Sequence, residues 1–215
     1  MIEIDSAGLK AGLKHLGLEV DDGVAEKFVR YAALLVRWNK TYNLTAISNA
    51  SDVLTHHLLD SAALVPELKR LCPDARTVLD VGSGGGLPAV PVALLCPELK
   101  VLAVDAVGKK TAFINQAAIE LGLPNLRARH TRVEALRGKA TFDVVTSRAF
   151  ATLADFTDLT RGLLAPGGRW LAMKGVYPQE EIDALGPHVS VDEVVRLRVL
   201  GLEAERHVVL MHEIE

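Results

Sequence analysis

The sequence predicts an α/β protein built on a mostly parallel, seven-stranded sheet with helices on both faces and a helical N-terminal extension. Three observations lead there. Residues 1–70 show only helical spacing, strand-like apolar runs alternate with helical segments from Thr77 onward, and a glycine-rich turn, 82–86, follows the first of those runs. Strands joined through helices run parallel, and a parallel sheet has to be covered on both faces.

Each element has its own signal. Leu9, Leu13 and Leu16 recur at helical spacing after Ser6, the expected N-cap. A second helix is expected after Asp22, with Val24, Phe28, Tyr31, Leu35 and Trp38 in one apolar stripe. A third is expected from Ser51, carrying Leu54, Leu58, Ala62 and Val65. Strands are expected at Thr77–Val81, Lys100–Asp105, 125–130, 142–146, 169–173, 191–199 and 206–212. Between them, helices are expected after the glycine turn, with Pro88 in the first turn, then at 109–121 and around 153–164. Pro166-Gly167-Gly168 reads as a turn. The last two strands follow one another without a good helix between them, so one of them is expected to run antiparallel. Residues 1–70 are expected to pack on a main domain of residues 71–215 rather than stand apart.

Composition excludes several classes. Hydrophobic residues make up 49% and charged residues 24%, the balance of a soluble globular chain. No apolar run is long enough to span a bilayer and the start is not a signal peptide, so a cytoplasmic protein with no membrane partner is expected. Cys72 and Cys96 make no disulfide framework, and no His/Cys spacing suggests a metal site. His56 and His57, being adjacent, point apart on a helix. His57 is expected to pack or hydrogen-bond between the helical segment and the sheet. Net charge is −3, yet Arg127, Arg129, Arg132, Arg137, Lys139 and Arg148 cluster against only Glu134 and Asp143. That cluster suits a polyanion and equally suits a solvated face, so charge alone leaves both readings open.

The turn Asp80-Val81-Gly82-Ser83-Gly84-Gly85-Gly86 carries more information. In doubly wound sheets ligands bind at the carboxyl ends of the strands, and glycines there let the backbone approach them. A dinucleotide fingerprint would need glycine at position 87, which is Leu87, and no Gly-Lys-Ser/Thr follows for a triphosphate. The next strand ends in Asp105, nineteen residues past Gly86, where a carboxylate can accept from both ribose hydroxyls or else cap the following helix. Val133-Glu134 falls after the third strand, where an adenine ring could lie on apolar side chains. An adenosine site without a phosphate cradle points to S-adenosylmethionine.

Further motifs surround this turn. They are Trp38-Asn39-Lys40-Thr41-Tyr42-Asn43-Leu44-Thr45, His57-Leu58-Leu59-Asp60-Ser61, Arg132-Val133-Glu134, Ser147-Arg148-Ala149-Phe150, Met173-Lys174-Gly175 and Glu205-Arg206-His207. In this order, over nearly the whole chain, the sequence resembles the bacterial small-subunit ribosomal RNA methyltransferase G family. The resemblance implies a Rossmann-like, class I S-adenosylmethionine-dependent fold. It also implies methylation at N7 of one guanosine in the decoding-region loop of 16S rRNA, as free rRNA or as a small-subunit particle. By the same resemblance Gly82, Leu87, Val133, Glu134 and Arg148 match cofactor-contacting positions, and Gly84 and Asp105 join them from the reading of the turn. Where the family has glycine two residues beyond Leu87, this chain has Ala89. Lys40, Asn43 and Lys174 are the candidates for substrate contact, with Arg148 also in reach. For Asn43 a helix-end role is equally open.

Guanine N7 presents a lone pair and carries no proton, so the reaction calls for no general base, and no nucleophile–base arrangement stands out in the chain. A small-molecule methyltransferase of the same fold is the alternative; a non-catalytic binding scaffold and a nicotinamide oxidoreductase are less well matched, the latter because of Leu87.

Overall fold

The computed structural model describes residues 4–45 and 49–214. Helix α1 (Ser6–His15) is capped by Asp5, whose carboxylate accepts from the Ala7 N–H at 3.0 Å; Ser6, the expected cap, is the first helical residue. Helix α2 (Asp22–Tyr42) starts at the Asp21 side chain and ends at Asn43 in the left-handed conformation. Its stripe is core as expected. Phe28, Tyr31 and Leu35 are fully buried, and Trp38 meets Phe113 edge-on with ring centroids 5.5 Å apart.

The third expected helix is broken into pieces. α3 (Ala50–Asp52) leads into a π-helical segment, Val53–Leu59, followed by α4 (Asp60–Ala62) and α5 (Leu64–Leu71). A π-helical stretch leaves carbonyls without the usual i+4 donor. One of them, on His56, accepts instead from the Arg148 guanidinium at 2.8 Å. Apolar spacing alone could not show this interruption, because the guanidinium that meets it comes from 92 positions further along the chain.

The strands are β1 (Thr77–Val81), β2 (Lys100–Asp105), β3 (Leu126–His130), β4 (Phe142–Arg148), β5 (Leu164–Lys174), β6 (Val189–Leu197) and β7 (Arg206–Glu213). They form one sheet in the order β3-β2-β1-β4-β5-β7-β6, parallel except for β7, which is antiparallel to both neighbours. The connecting helices are α6 (Ala89–Leu95), α7 (Gly108–Leu121), α8 (Leu153–Thr160) and α9 (Gln179–Asp183), with a 3₁₀ turn at Val133–Leu136. Pro88 sits one residue before α6 rather than inside it. The expected turn Pro166-Gly167-Gly168 lies inside β5 as a bulge: Phe142 pairs with Leu164 and Val144 already with Arg169.

Two hydrophobic layers sandwich the sheet. On one face α1, α2, α5, α6 and α7 share a single core with the strands, which includes Leu9, Leu13, Leu35, Phe113 and Val144. On the other face α8 packs Leu153 and Phe156 against Leu79, Val145 and Trp170. Trp170 is fully buried and donates its indole N–H to Thr160 Oγ1 at 2.8 Å. Among the described residues no helix is long and apolar enough to cross a membrane.

Asparagines finish the β3 edge. Asn115 of α7 bonds both the N–H and the C=O of Ala128, at 2.8 and 2.9 Å, and so occupies edge groups that would otherwise recruit another strand. Asn125, expected as the first strand residue, stands just outside β3. Its amide reaches the carbonyls of Ala93, Cys96 and Leu99 at 3.1–3.3 Å, which satisfies the C-terminal end of α6 and the turn after it. Asn125→Ala strands those acceptors in a partly buried place and should lower stability by about 1–3 kcal/mol. Urea unfolding of the two proteins checks this.

Candidate functional site

The chain leaves β1 toward β2 and β3, then returns across the sheet to β4 on the other side of β1. That reversal opens a crevice at the carboxyl ends of the strands. A cavity of about 370 Å³ occupies it. Val81 and Gly82 line it from β1, Val104, Asp105 and Ala106 from β2, residues Thr131 to Glu134 from the end of β3, and Ala149 and Phe150 from the end of β4; Lys110 and Leu159 complete the wall.

The glycine turn is shaped by hydrogen bonds from the sheet. Gly82 and Ser83 both donate N–H groups to the Val104 carbonyl, at 2.9 and 3.2 Å, and Ser83 Oγ donates back to the Asp80 carbonyl at 2.9 Å. Gly82 has a φ of 70°, and a Cβ there would lie 2.3 Å from Cδ2 of Phe150. Both the conformation and the close approach therefore require glycine. Asp105 accepts from the Gly84 N–H at 3.0 Å and the Val107 N–H at 2.8 Å, with Lys110 at 3.7 Å. Helix α7 has no side-chain cap at Val107, so Asp105 holds the turn against β2 rather than capping the helix.

Asp80 lies beneath the turn, fully buried. Its Oδ2 accepts from the Ala89 N–H at 3.1 Å, while Oδ1 has no hydrogen-bond partner among the described residues. Burial pushes this carboxyl up to about 7. Tyr31 of α2 donates its hydroxyl to the Gly85 carbonyl at 2.5 Å, so the N-terminal helices touch the turn directly.

Of the residues singled out from sequence, Gly82, Asp105, Val133 and Glu134 line the cavity together. Gly84 stands beside them through its bond to Asp105, and Leu87 is buried beneath the turn, off the cavity wall. Arg148 is the last residue of β4, and its guanidinium turns toward the N-terminal segment. It donates to the His56 carbonyl at 2.8 Å and to Asp60 Oδ2 at 3.0 Å; Asp60 Oδ1 accepts from Arg206 at 2.9 Å. His57 bridges the same region as expected, with Nε2 2.6 Å from Thr45 Oγ1 and Nδ1 3.5 Å from Arg148. Burial, and then the Arg148 charge, push its pKa down to about 4.

Lys174 is tied to the Ala151 carbonyl at 2.8 Å and to Glu181 at 2.6 Å. Lys40 and Asn43 are exposed at the C-terminal end of α2, and Asn43 forms the left-handed helix end. Sequence reasoning assigned no role to Lys110, Thr131, Ala149 or Phe150. Ala149 and Phe150 adjoin Arg148 in its motif, but only the turn out of β4 brings them to the cavity. Lys110 had no sequence signal beyond following Asp105 at the start of a helix. Among the described residues no group of His, Cys, Asp and Glu is placed to hold a metal ion.

Sheet order, glycine turn and acidic β2 terminus together define a class I S-adenosylmethionine-dependent methyltransferase. Solved structures show the same fold. The glycopeptide N-methyltransferase MtfA complexed with sinefungin superposes with a TM-score of 0.62 at 12% identity, covering 73% of this chain and 87% of that one. TrmN from Thermus thermophilus gives 0.57 at 23% identity, covering 75% and 53%. The sequence profile of rRNA small subunit methyltransferase G matches residues 24–209. The protein named Ribosomal RNA small subunit methyltransferase G in Ralstonia nicotianae is 50% identical over 207 residues, 94% of this chain and 93% of that one. Its namesake in Neisseria meningitidis serogroup B is 50% identical over 203 residues, covering 94% and 96%. The chain belongs to the rRNA small subunit methyltransferase G family, as its motifs implied.

The two shifted groups beside Arg148 act on stability with opposite sign. Between about pH 4 and 6.5 the unfolded chain carries a proton on His57 that the folded chain lacks, so this group's contribution rises with pH. Between 3.8 and about 7 the folded chain carries a proton on Asp80 that the unfolded chain lacks, so that contribution falls with pH. Relative to the parent, Asp80→Asn should gain stability as pH rises through this window, and His57→Gln should lose it. Each slope approaches about 1.4 kcal/mol per pH unit. Denaturant titrations between pH 4.5 and 7 would show the two opposed slopes.

Proposed function

We propose that this chain transfers a methyl group from S-adenosylmethionine to N7 of one guanosine in the decoding-region loop of 16S rRNA, in the cytoplasm, on free rRNA or a small-subunit particle. The observation that carries this reading is the single cavity that gathers Gly82, Asp105, Val133 and Glu134 at the sheet reversal of a chain in this family. In the same reading residues 1–70 are an extension packed on a cofactor-binding domain of residues 71–215.

The cavity suits a nucleoside. Carboxylates of Asp105 and Glu134 offer acceptors for hydroxyl and amino groups, and Val104 and Val133 supply an apolar slot for a flat ring. Gly84 opens onto free space, with nothing nearer than 3.9 Å to a Cβ built there. When bound, S-adenosylmethionine supplies a methyl group on a positively charged sulfur. Gly82 and Gly84 let the backbone approach it, Asp105 and Glu134 hold its hydroxyl and amino groups, and Leu87 supports the turn from below. Arg148 belongs to this set by position, one residue before the wall at Ala149.

Guanine N7 has no proton to lose, so the residues need to orient rather than deprotonate. Such positioning is worth up to roughly 7–11 kcal/mol of the barrier. Lys40 and Asn43 would meet the RNA, Lys40 as a point charge for phosphate and Asn43 through its amide. Lys174 is the further candidate for RNA contact; it holds the Ala151 carbonyl and is paired with Glu181.

Mass spectrometry of 16S rRNA from cells with and without the gene tests the assignment. One guanine methylation should disappear, and return when the purified protein and S-adenosylmethionine are added to the unmethylated particle. An unchanged pattern overturns it. Arg148→Ala leaves Asp60 with one guanidinium and loosens the end of β4. It should lower methyl transfer about 100-fold, the scale expected of a small misplacement, and depress the unfolding temperature. Activity and calorimetry on the same preparation check both.

A further inference from the structure

The β4 end of the cavity is closed by one aromatic ring. Ala149, a non-glycine residue with a φ of 54°, turns the chain sharply out of β4 and carries Phe150 to the cavity wall. The ring touches the Gly82 backbone so closely that a Cβ there would meet it at 2.3 Å. Even so, 37% of the residue stays open to solvent. The loop behind it is clamped. Lys174 holds the Ala151 carbonyl at 2.8 Å, and Glu181 accepts from both Lys174 and the Leu153 N–H at 2.6 and 2.7 Å. A strained residue, a clamp and a half-exposed phenyl ring make a rigid surface rather than a buried core contact.

Position separates this ring from the nucleoside end of the site. Asp105, Val133 and Glu134 come from the ends of β2 and β3, whereas β4 lies on the opposite side of β1. Among the described residues lining the cavity, Phe150 is the only aromatic one. A purine base turned out of an RNA loop presents two flat faces and keeps its N7 edge in the plane of the ring. Stacking on a face therefore leaves N7 free to point into the cavity, and aromatic side chains are the usual platform for unstacked RNA bases.

We propose that Phe150 is the stacking platform for the target guanine and fixes the plane in which its N7 addresses the cavity. This rests on the rRNA reading above. The test compares wild type, Phe150→Ala, Phe150→Leu and Phe150→Tyr for kcat/KM on unmethylated small-subunit particles, for S-adenosylmethionine affinity by calorimetric titration, and for unfolding temperature. The expected result is a loss in kcat/KM of about 10- to 100-fold in the Ala and Leu variants, the scale of one lost base stack, with recovery in Tyr and cofactor affinity unchanged in all. Wild-type kcat/KM in Phe150→Ala, or recovery by Leu as good as by Tyr, overturns the stacking role. A fall in cofactor affinity that matches the fall in kcat/KM also overturns it, because the ring would then be a wall for the cofactor. Inactivity of the wild type on the particle is a different failure: it overturns the rRNA reading itself, and this inference with it.

Discussion

Asp60 is held almost out of solvent, with Arg148 on one carboxylate oxygen at 3.0 Å and Arg206 on the other at 2.9 Å. Burying a carboxylate is costly, and a pair of guanidiniums offsets that cost only when the geometry is good on both sides. What the arrangement supplies is position. Through side chains it joins the residue that follows the π-helical segment, the last residue of β4 and the first residue of β7. The mouth of the cavity begins one residue beyond Arg148, so the placement of Ala149 and Phe150 depends on a carboxylate that never touches the cavity.

His57 lies against the same arrangement. Burial shelters the imidazole from water, the Arg148 guanidinium beside it repels a second positive charge, and together they push its pKa down although Asp60 pulls the other way. Through Thr45 this neutral ring reaches back toward the C-terminal end of α2, where Lys40 and Asn43 face solvent. Tyr31 makes the second link from the same helix, to Gly85 in the turn. The C-terminal end of α2 and the glycine turn are thus connected through the N-terminal helices, which contact the turn as well as covering the sheet.

Much of this was legible in the sequence, and what was not has a common cause. Period and punctuation revealed the strands, most helices, the antiparallel pair at the end and the glycine turn, because each depends on neighbours within a few residues. Asp105 could be located as the end of β2 and weighed as a ribose acceptor or a helix cap, but its hold on the turn through Gly84 and Val107 could not be read from the sequence. Arg148 could be placed at the cavity edge, yet its partner Asp60 lies 88 positions away, and the second guanidinium on Asp60, from Arg206, comes 146 positions after that acid, in motifs that carried no role of their own. Asn125 looked like a strand residue because its side chain's service to α6 leaves no periodic trace. The π-helical interruption was hidden for the same reason.

The order of the last strands bears on how the chain is completed as it is made. β6 is synthesised before β7, yet in the sheet β7 lies between β5 and β6, so β6 has no edge to join until its successor arrives. Arg206 stands at the start of that late strand, 146 positions after the Asp60 it neutralises. A nascent chain can therefore fold its glycine turn while Asp60 still has only one of its two guanidiniums, that of Arg148. Until β7 is made, the chain lacks both the strand that joins β6 to β5 and the second guanidinium on Asp60, so a product cut before Arg206 would hold the glycine turn beside a half-neutralised acid.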